Sequence, residues 1–445
     1  MPSRKKPVKK ASASGRKKPS KSVKSSVKRN AVTEETVAAS DFVHTAPVKE
    51  KVFTATQWTV LMILAFIQFM HIVDFMVLMP LAKKFEEFFH ISTNQFGWLV
   101  SSYTLAAFAS GIAGTFFIDR ISRKRSMLFA FAGFILGNLL CAVAPGFWTF
   151  LMARMLTGAF GGLLSGISFA IIGDLIEPAK RGRATGVIMM SFSVAAVAGV
   201  PIGIWFAHNF FLQLPYYLIA AGSGLIFILA YLRMPVMAHH LFGPPQNVVA
   251  QIVSVLSNEK HQRLYLMITC HFIAAFSIIP YIAGFMQKNN GVTDKQLPLI
   301  YLFGGIATII SSPLMGYLTD RFGTVRMYTW VSLLASIPFI LVTHEWTHHF
   351  VVLLVFAVLF FIFVSGRMVP AMALLNNTLN PSQRGTFMSL NGSVQQLAMS
   401  LGAIAASFII VAPPGQPMRN YLWVGAFGII FNIAAVMIAN TFKTR

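Results

Sequence analysis

The feature that most constrains this chain is a succession of apolar segments. A helix of about 20 apolar residues, rising 1.5 Å per residue, is long enough to cross the roughly 30 Å of hydrocarbon in a bilayer. Twelve such segments have the predicted bounds 58–80, 95–118, 126–144, 148–174, 184–207, 213–233, 263–287, 297–318, 325–343, 350–375, 386–411 and 418–441. The sequence therefore predicts an all-α membrane protein with twelve transmembrane helices.

The composition also favours a chain embedded in lipid. Hydrophobic residues make up 56% of the 445 residues and charged residues only 11%, whereas soluble proteins carry roughly 25% charged residues. Cys141 and Cys270 both lie inside apolar segments. They are interpreted as small buried helix residues, and no disulfide, metal or cofactor is expected.

The N-terminal residues 1–54 differ from the rest of the chain. Residues 1–30 hold twelve Lys or Arg and no acid, in a protein whose formal net charge is +22. This composition predicts a disordered basic tail. The tail is interpreted as a device for topology and solubility, with attraction to anionic lipid as a second role. Any binding to nucleic acid would be nonspecific and sensitive to salt.

Basic residues in the short loops predict the orientation. Lys and Arg concentrate in the loops after even-numbered helices, and loops rich in these residues usually face the cytoplasm. The residues are Arg120, Arg123, Lys124, Arg125, Lys180, Arg181, Arg183, Arg321, Arg326 and Arg384. We therefore expect an integral protein of the cell (inner) membrane with both termini in the cytoplasm.

Two landmarks recur at almost the same spacing. An Asp-Arg pair closes the second predicted helix at 119–120 and the eighth at 320–321, 201 residues later. An Arg-Gly pair precedes the fifth helix at 181–182 and the eleventh at 384–385, 203 residues later. The recurrence indicates an internal duplication, as is common in carriers whose substrate site lies between the repeats.

The duplication suggests a division into two bundles. The predicted domains are an N-terminal six-helix bundle, 55–233, a central cytoplasmic linker, 234–262, and a C-terminal six-helix bundle, 263–442.

The loop Asp119-Arg120-Ile121-Ser122-Arg123 and its echo at 320–323 resemble the signature of the major facilitator superfamily between helices 2 and 3 and between helices 8 and 9. The resemblance extends over about residues 55–442, although Thr115 and Ser122 stand where the family usually has glycine. In the family, these charges help to lock the two halves in the outward-open state. The resemblance implies a cytoplasmic latch made of Asp119, Arg120, Arg123, Asp174, Asp320 and Arg321.

Within that latch, the resemblance implies two particular contacts. Arg123 would pair with Asp174 at the end of helix 4, and Asp119 would face the start of helix 11.

Two ionisable residues interrupt apolar helices of the first half. Asp74 in helix 1 and Arg154 in helix 4 each lie six residues from the predicted outer end. An isolated charge inside a bilayer is costly, so we expect the two to pair. A carboxylate that alternates between paired and unpaired settings can bind and release a proton. The pair is a candidate for proton coupling; the alternative is a fixed structural link between the two helices.

The same residues extend the family resemblance. Arg154 resembles the family's helix-4 signature, often linked with proton coupling, and an acid in helix 1 is common in its drug:proton antiporters. Gly199-Val200-Pro201-Ile202-Gly203 is similar to the helix-5 antiporter motif. The chain is thus identified as a member of the 12-helix drug:proton antiporter group, with Gly199, Pro201 and Gly203 in that motif.

Other polar residues inside helices are candidates for the substrate pathway. They are Gln68 and His71 near Asp74, Arg367 in helix 10, and Asn391 and Gln395 in helix 11. Arg367 is interpreted as a contact for an anionic substrate group or as a gate.

Together these features predict a monomeric secondary transporter that moves a small molecule by alternating access, in exchange for protons. A proton-coupled symporter for sugars or other nutrients is the alternative within the same fold. A membrane sensor or scaffold that uses the basic tail is an alternative from another class. An enzyme is not expected, because the cluster of His and Glu at 344–349 lies in one short outer loop.

Overall fold

A computed structural model describes residues 53–117, 120–177, 180–237, 248–379, 384–413 and 416–442. Within these ranges the regular structure is helical, apart from an isolated bridge between Val411 and Arg419. Twelve helices in them are long and apolar enough to cross a membrane. The predicted all-α fold with twelve spans is therefore confirmed. The prediction for the tail falls on residues outside the described ranges, except for Phe53, which is buried, and Thr54, which caps the first helix.

We number the spans in chain order. Spans 1 to 6 contain the helices Ala55–Val77 with Ala82–Phe89, Thr93–Phe117, Arg123–Val143, Phe147–Leu175, Arg181–Val194 with Val200–Asn209, and Leu214–Arg233. Spans 7 to 12 contain Glu259–Phe276 with Ile279–Lys288, Leu297–Phe322, Thr324–Thr343, Phe350–Gly366 with Met368–Thr378, Arg384–Ile409, and Tyr421–Asn440. A separate helix, Val248–Leu256, precedes span 7.

Span 1 continues beyond its predicted end at Pro80. A 3-10 turn, Met79–Leu81, interrupts the helix, and a further helix then runs from Ala82 to Phe89. Pro80 is tolerated there because it lies in the first turn of a new helical segment, where its missing N–H has no helical partner to lose. The charges at positions 83–87 are therefore helical rather than part of a loop.

Span 5 contains a π-helical segment, Ala195–Gly199, between its two α-helices. Pro201 lies in the first turn of the second α-helix, Val200–Asn209. A π segment widens the helix locally and is often found at functional sites. The glycine- and proline-containing motif predicted in helix 5 thus coincides with a change of helix type.

The spans pack mainly within their own half of the chain. Span 4 lies against spans 2 and 3, and span 1 against spans 5 and 6, while span 7 packs on spans 11 and 12 and span 9 on spans 10 and 12. Between the halves, span 2 packs along span 11, span 5 on span 8, and the end of span 1 on the end of span 7. In a duplicated chain, span 2 corresponds to span 8 and span 5 to span 11. The contacts of span 2 with span 11 and of span 5 with span 8 are therefore equivalent, as expected for duplicated bundles.

Glycines allow span 4 to approach span 2 very closely. A Cβ atom added to Gly158 would lie 2.2 Å from the carbonyl oxygen of Tyr103, and one added to Gly162 would lie 2.6 Å from that of Ala107. Both neighbours are backbone atoms, which cannot move without shifting a helix. Small residues at such crossings are a common means of packing membrane helices.

The close packing at Gly162 leads to a prediction about the stability of the protein. Gly162→Ala should lower the free energy of unfolding by about 1–3 kcal/mol, because the added methyl group overpacks a backbone contact. Gly166→Ala on the same helix is the matched control, since nothing lies within 4 Å of a Cβ built there. Thermal unfolding of both purified variants in detergent is the measurement, and equal melting temperatures would contradict the packing.

Candidate functional site

A buried ion pair links span 1 to span 4. Nη1 of Arg154 donates a hydrogen bond to Oδ1 of Asp74 at 2.8 Å. The exposed fraction of the side chain is 1% for Arg154 and 0% for Asp74. Neither charge could be left alone in such a setting without a large desolvation cost, so each requires the other. The structure therefore brings together the two residues predicted for proton coupling.

Two tyrosines enclose the guanidinium group of Arg154. Its central carbon lies 4.4 Å from the ring centroid of Tyr103 in span 2 and 6.0 Å from that of Tyr216 in span 6. A cation over an aromatic face is attracted by the ring quadrupole. Arg154 is thus held by side chains from spans 1, 2 and 6 as well as by its own helix.

The hydrogen bonding around this pair is incomplete. Among the described residues, no partner is found for Oδ2 of Asp74, Nε of Arg154 or the hydroxyl groups of Tyr103 and Tyr216. Buried polar atoms in a permanent structural pair are normally all hydrogen-bonded. The pair and the two tyrosines therefore have capacity for further hydrogen bonds.

Gln68 precedes Asp74 by six residues on span 1, and His71 precedes it by three. Both are buried, with exposed fractions of 4% and 7%. The His71 ring lies beside Tyr103 and Phe134, with ring centroids 6.2 and 6.1 Å apart. His71 therefore lies close to the ion pair, since Tyr103 contacts both its ring and the guanidinium group of that pair, whereas Gln68 lies about 9 Å from Asp74 along the helix axis. The part of both residues in the substrate pathway remains a prediction.

Span 5 packs tightly on the part of span 1 that carries Asp74. A Cβ on Gly199 would lie 2.3 Å from Cγ2 of Val73, and a Cβ on Gly203 would lie 2.6 Å from Cγ2 of Val77. On its other side, span 5 contacts Gly305 of span 8, where an added Cβ would lie 2.7 Å from Cγ2 of Val197. Span 5 thus contacts both span 1, next to Asp74, and span 8 of the second half.

One contact of the predicted latch is present. Nε of Arg123 donates to Oδ2 of Asp174 at 2.7 Å. Arg120, Asp320 and Arg321 are exposed. Asp119 lies outside the described residues, so its contact with span 11 and the latch as a whole remain predictions.

Arg367 lies in the interior of the second half, at the junction of the two helices of span 10. Its Nη1 donates to Oδ1 of Asn432 at 2.5 Å, and its Nη2 donates to the backbone oxygen of His271 at 3.0 Å. Its guanidinium carbon also lies 5.3 Å from the Phe339 ring centroid. These partners belong to spans 7, 9 and 12, and none is charged. Its role as a substrate contact or gate remains a prediction.

The two span-11 candidates differ in exposure. Asn391 is buried and Gln395 is half-buried. Both lie on the span that packs along span 2 of the first half. Their part in the substrate pathway remains a prediction.

A set of charges that was not predicted from the sequence joins the two halves. Nζ of Lys288 at the end of span 7 forms a buried ion pair with Glu86 at the end of span 1. Nearby, Asp294 lies 3.0 Å from His208 of span 5 and 3.9 Å from Lys84. We call this end of the bundle the outer end, because the loop charges predict that it faces away from the cytoplasm.

A signal for the helix that carries Glu86 is present in the sequence. Ala82, Phe85, Glu86 and Phe89 recur with the spacing of one helical face. The partner could not be inferred, because Lys288 is 202 residues away along the chain.

Comparison with known proteins identifies the family. The family profile described as Major Facilitator Superfamily matches residues 64–263 and, a second time, residues 264–444. The chain belongs to the major facilitator superfamily. It is accordingly a multi-pass membrane transporter of this superfamily, built from two six-helix bundles.

Individual relatives are distant. The uncharacterized MFS-type transporter YceJ of Bacillus subtilis (strain 168) is 24% identical over 83% of this chain and 92% of its own length. Multidrug resistance protein 3 of the same organism is 27% identical over 49% of this chain and 47% of its own length. A solved D-xylose-proton symporter has a TM-score of 0.71 at 15% identity, covering 85% of this transporter and 97% of the symporter, which shows a shared fold.

Removal of one member of the buried pair should destabilise this transporter. Arg154→Met leaves the Asp74 carboxylate buried without its counter-charge, which should lower the free energy of unfolding by about 3–5 kcal/mol. The double variant Asp74→Leu/Arg154→Met should recover most of that loss, because no buried charge remains. Chemical unfolding in detergent measures both effects.

The control for this experiment is Arg263→Met. Arg263 pairs with Glu259 on the surface, and an exposed pair contributes only about 0–1 kcal/mol. If Arg154→Met were no less stable than this control, the buried pair would not contribute as described.

Charge reversal at the outer end tests the link between the halves. Lys288→Glu places two acids together and should increase the separation of the outer ends, whereas Glu86→Lys/Lys288→Glu should restore it. Spin labels at the exposed residues Phe211 and His344 report that separation by pulsed electron resonance. An unchanged distance distribution in the single variant would show that the pair does not hold the ends together.

Proposed function

We propose that this protein is a proton-coupled exporter of a small molecule that works by alternating access. The observation that carries the proposal is the buried Asp74–Arg154 pair, in which one carboxylate oxygen has no partner among the described residues. A buried acid whose hydrogen bonding is incomplete is suited to bind and release a proton. Intramembrane ionisable residues are functional by default, because their burial is costly.

Proton binding at Asp74 changes the charge balance of the first half. The neutral carboxylic acid attracts Arg154 less strongly than the carboxylate does, so protonation loosens the link between spans 1 and 4. Deprotonation restores the ion pair. The proton thus selects between two arrangements of the same helices, which is the requirement for coupling to a conformational change.

Span 5 can transmit a movement of span 1 to the second half, because it contacts both. Gly199 and Gly203 touch Val73 and Val77, which lie on either side of Asp74. Val197 in the π segment touches Gly305 of span 8. A shift of span 1 therefore acts through span 5 on the second bundle, consistent with rocking of the two bundles about a site between them.

Export rather than uptake is supported by two features. The Gly199–Gly203 segment is similar to the helix-5 antiporter motif, and one relative carries the name multidrug resistance protein 3. We further propose a monomer in the cell (inner) membrane with both termini in the cytoplasm, because basic residues concentrate in the loops after even-numbered spans.

Transport in inside-out vesicles tests the function. A panel of labelled cationic, anionic and neutral compounds is added outside, and both compound uptake and luminal pH are recorded. An antiporter takes up its substrate and releases protons from the lumen. A symporter instead carries protons into the lumen together with its substrate.

Asp74→Asn should abolish the proton movement that accompanies transport and the ability to concentrate substrate. Glu345→Gln is the matched control, because it neutralises a carboxylate in an exposed outer loop, and it should transport like the unmodified protein. Concentration of substrate by Asp74→Asn against its gradient would refute the proton role of Asp74.

A further inference from the structure

Three polar side chains of span 1 follow one another at intervals of three residues. Gln68, His71 and Asp74 are separated by about 4.5 Å steps along the helix axis, and all three are buried. Each has an atom that lacks a hydrogen-bond partner within the described ranges, namely Oε1 of Gln68, Nε2 of His71 and Oδ2 of Asp74. They form an interrupted polar line from the middle of the span to the ion pair.

Tyr103 lies across the gap between His71 and Asp74. A Cβ built on Gly161 would be 2.6 Å from the Tyr103 hydroxyl and 2.8 Å from Nε2 of His71. The hydroxyl and the ring nitrogen are therefore close enough to be joined through one water molecule. The same hydroxyl lies close to the Asp74 carboxylate.

Unpaired buried polar atoms need partners. A buried water molecule typically forms about three hydrogen bonds to such atoms, and here nitrogen, hydroxyl and carboxylate atoms converge from spans 1 and 2. The lack of a side chain at Gly161 in span 4 keeps their meeting point unobstructed. Arg154 is the fixed charge at this point, and Phe134 supplies an apolar wall on the side of span 3.

We propose that His71 relays protons between the transport pathway and Asp74, and that the Tyr103 hydroxyl bridges the two residues. This inference rests on the proposed function, because it assumes that Asp74 exchanges protons. In the inward step, an N–H bond of the His71 imidazolium breaks, its electron pair stays on nitrogen, and an O–H bond forms on Oδ2 of Asp74. The proton crosses through the Tyr103 hydroxyl or a bridging water, and release from Asp74 reverses the step.

A pH jump followed by infrared difference spectroscopy measures this transfer in the full-length protein reconstituted in lipid. The carboxylic acid band that disappears in Asp74→Asn reports the protonation of Asp74. In His71→Phe the band should develop about 100-fold more slowly, as for loss of a positioned proton-transfer group. Free imidazole added to the buffer should restore part of the rate, which would not occur if His71 only packed.

Two control variants distinguish the loss of proton transfer from a general loss of structure. His71→Gln keeps a polar side chain that cannot carry the proton, and it should be as slow as His71→Phe. His261→Gln changes another buried histidine, which contacts the backbone oxygen of Val255, and it should keep the normal rate.

The possible failures are distinguishable. If Asp74 shows no change of protonation in the unmodified protein, the proposed function fails. If Asp74 changes protonation and both His71 variants do so at the normal rate, the proton does not pass through His71 and this inference is overturned.

Discussion

Asp74 and Arg154 cannot be separated without leaving a charge in the interior of span 1 or span 4. Because desolvation of a lone ion is so costly, this pair fixes the two spans against each other. Close helix packing surrounds the pair. Gly158 and Gly162 bring span 2 against span 4, so that Tyr103 covers the guanidinium group, and Gly199 and Gly203 bring span 5 against the same stretch of span 1.

The buried arginines of the two halves have different kinds of partner. In the first half Arg154 has a carboxylate partner, whereas Arg367 in the second half is held by an amide oxygen, a backbone oxygen and an aromatic face. The neutral partners of Arg367 cannot gain or lose a proton in the physiological range. The two bundles therefore share a fold, but within the described ranges the buried arginine of the first is paired with an acid and that of the second is not.

Much of the fold could be predicted because a bilayer imposes a simple length and polarity rule. The apolar segments indicated all twelve spans, and the cost of a lone charge indicated that Asp74 and Arg154 should pair. Local interruptions could not be predicted in this way. The turn at Met79–Leu81 and the π segment at Ala195–Gly199 occur inside apolar segments. The apolar composition of such a segment does not distinguish a continuous helix from an interrupted one.

The polar details of the site depend on side-chain directions, which one sequence does not reveal. His71 was a candidate from its nearness to Asp74 along the chain, but Tyr103 and Gly161 belong to other spans and gave no signal. The pair of Glu86 with Lys288 was missed for a similar reason, since its members are far apart in sequence and resemble ordinary loop charges.

The π segment also determines how span 5 tolerates changes in length. A π turn holds one residue more than an α turn, so the outer part of the span is rotated by about 100° from the phase of a continuous α-helix. Val197 can therefore face span 8 while Gly203, beyond the segment, faces span 1. Deletion of one residue between 195 and 199 would return the span to a regular α-helix and leave Gly203 facing Val77, because the π turn already absorbs that residue. The face that span 5 presents to span 1 thus depends on how the π segment accommodates a single residue, which no apolar pattern marks.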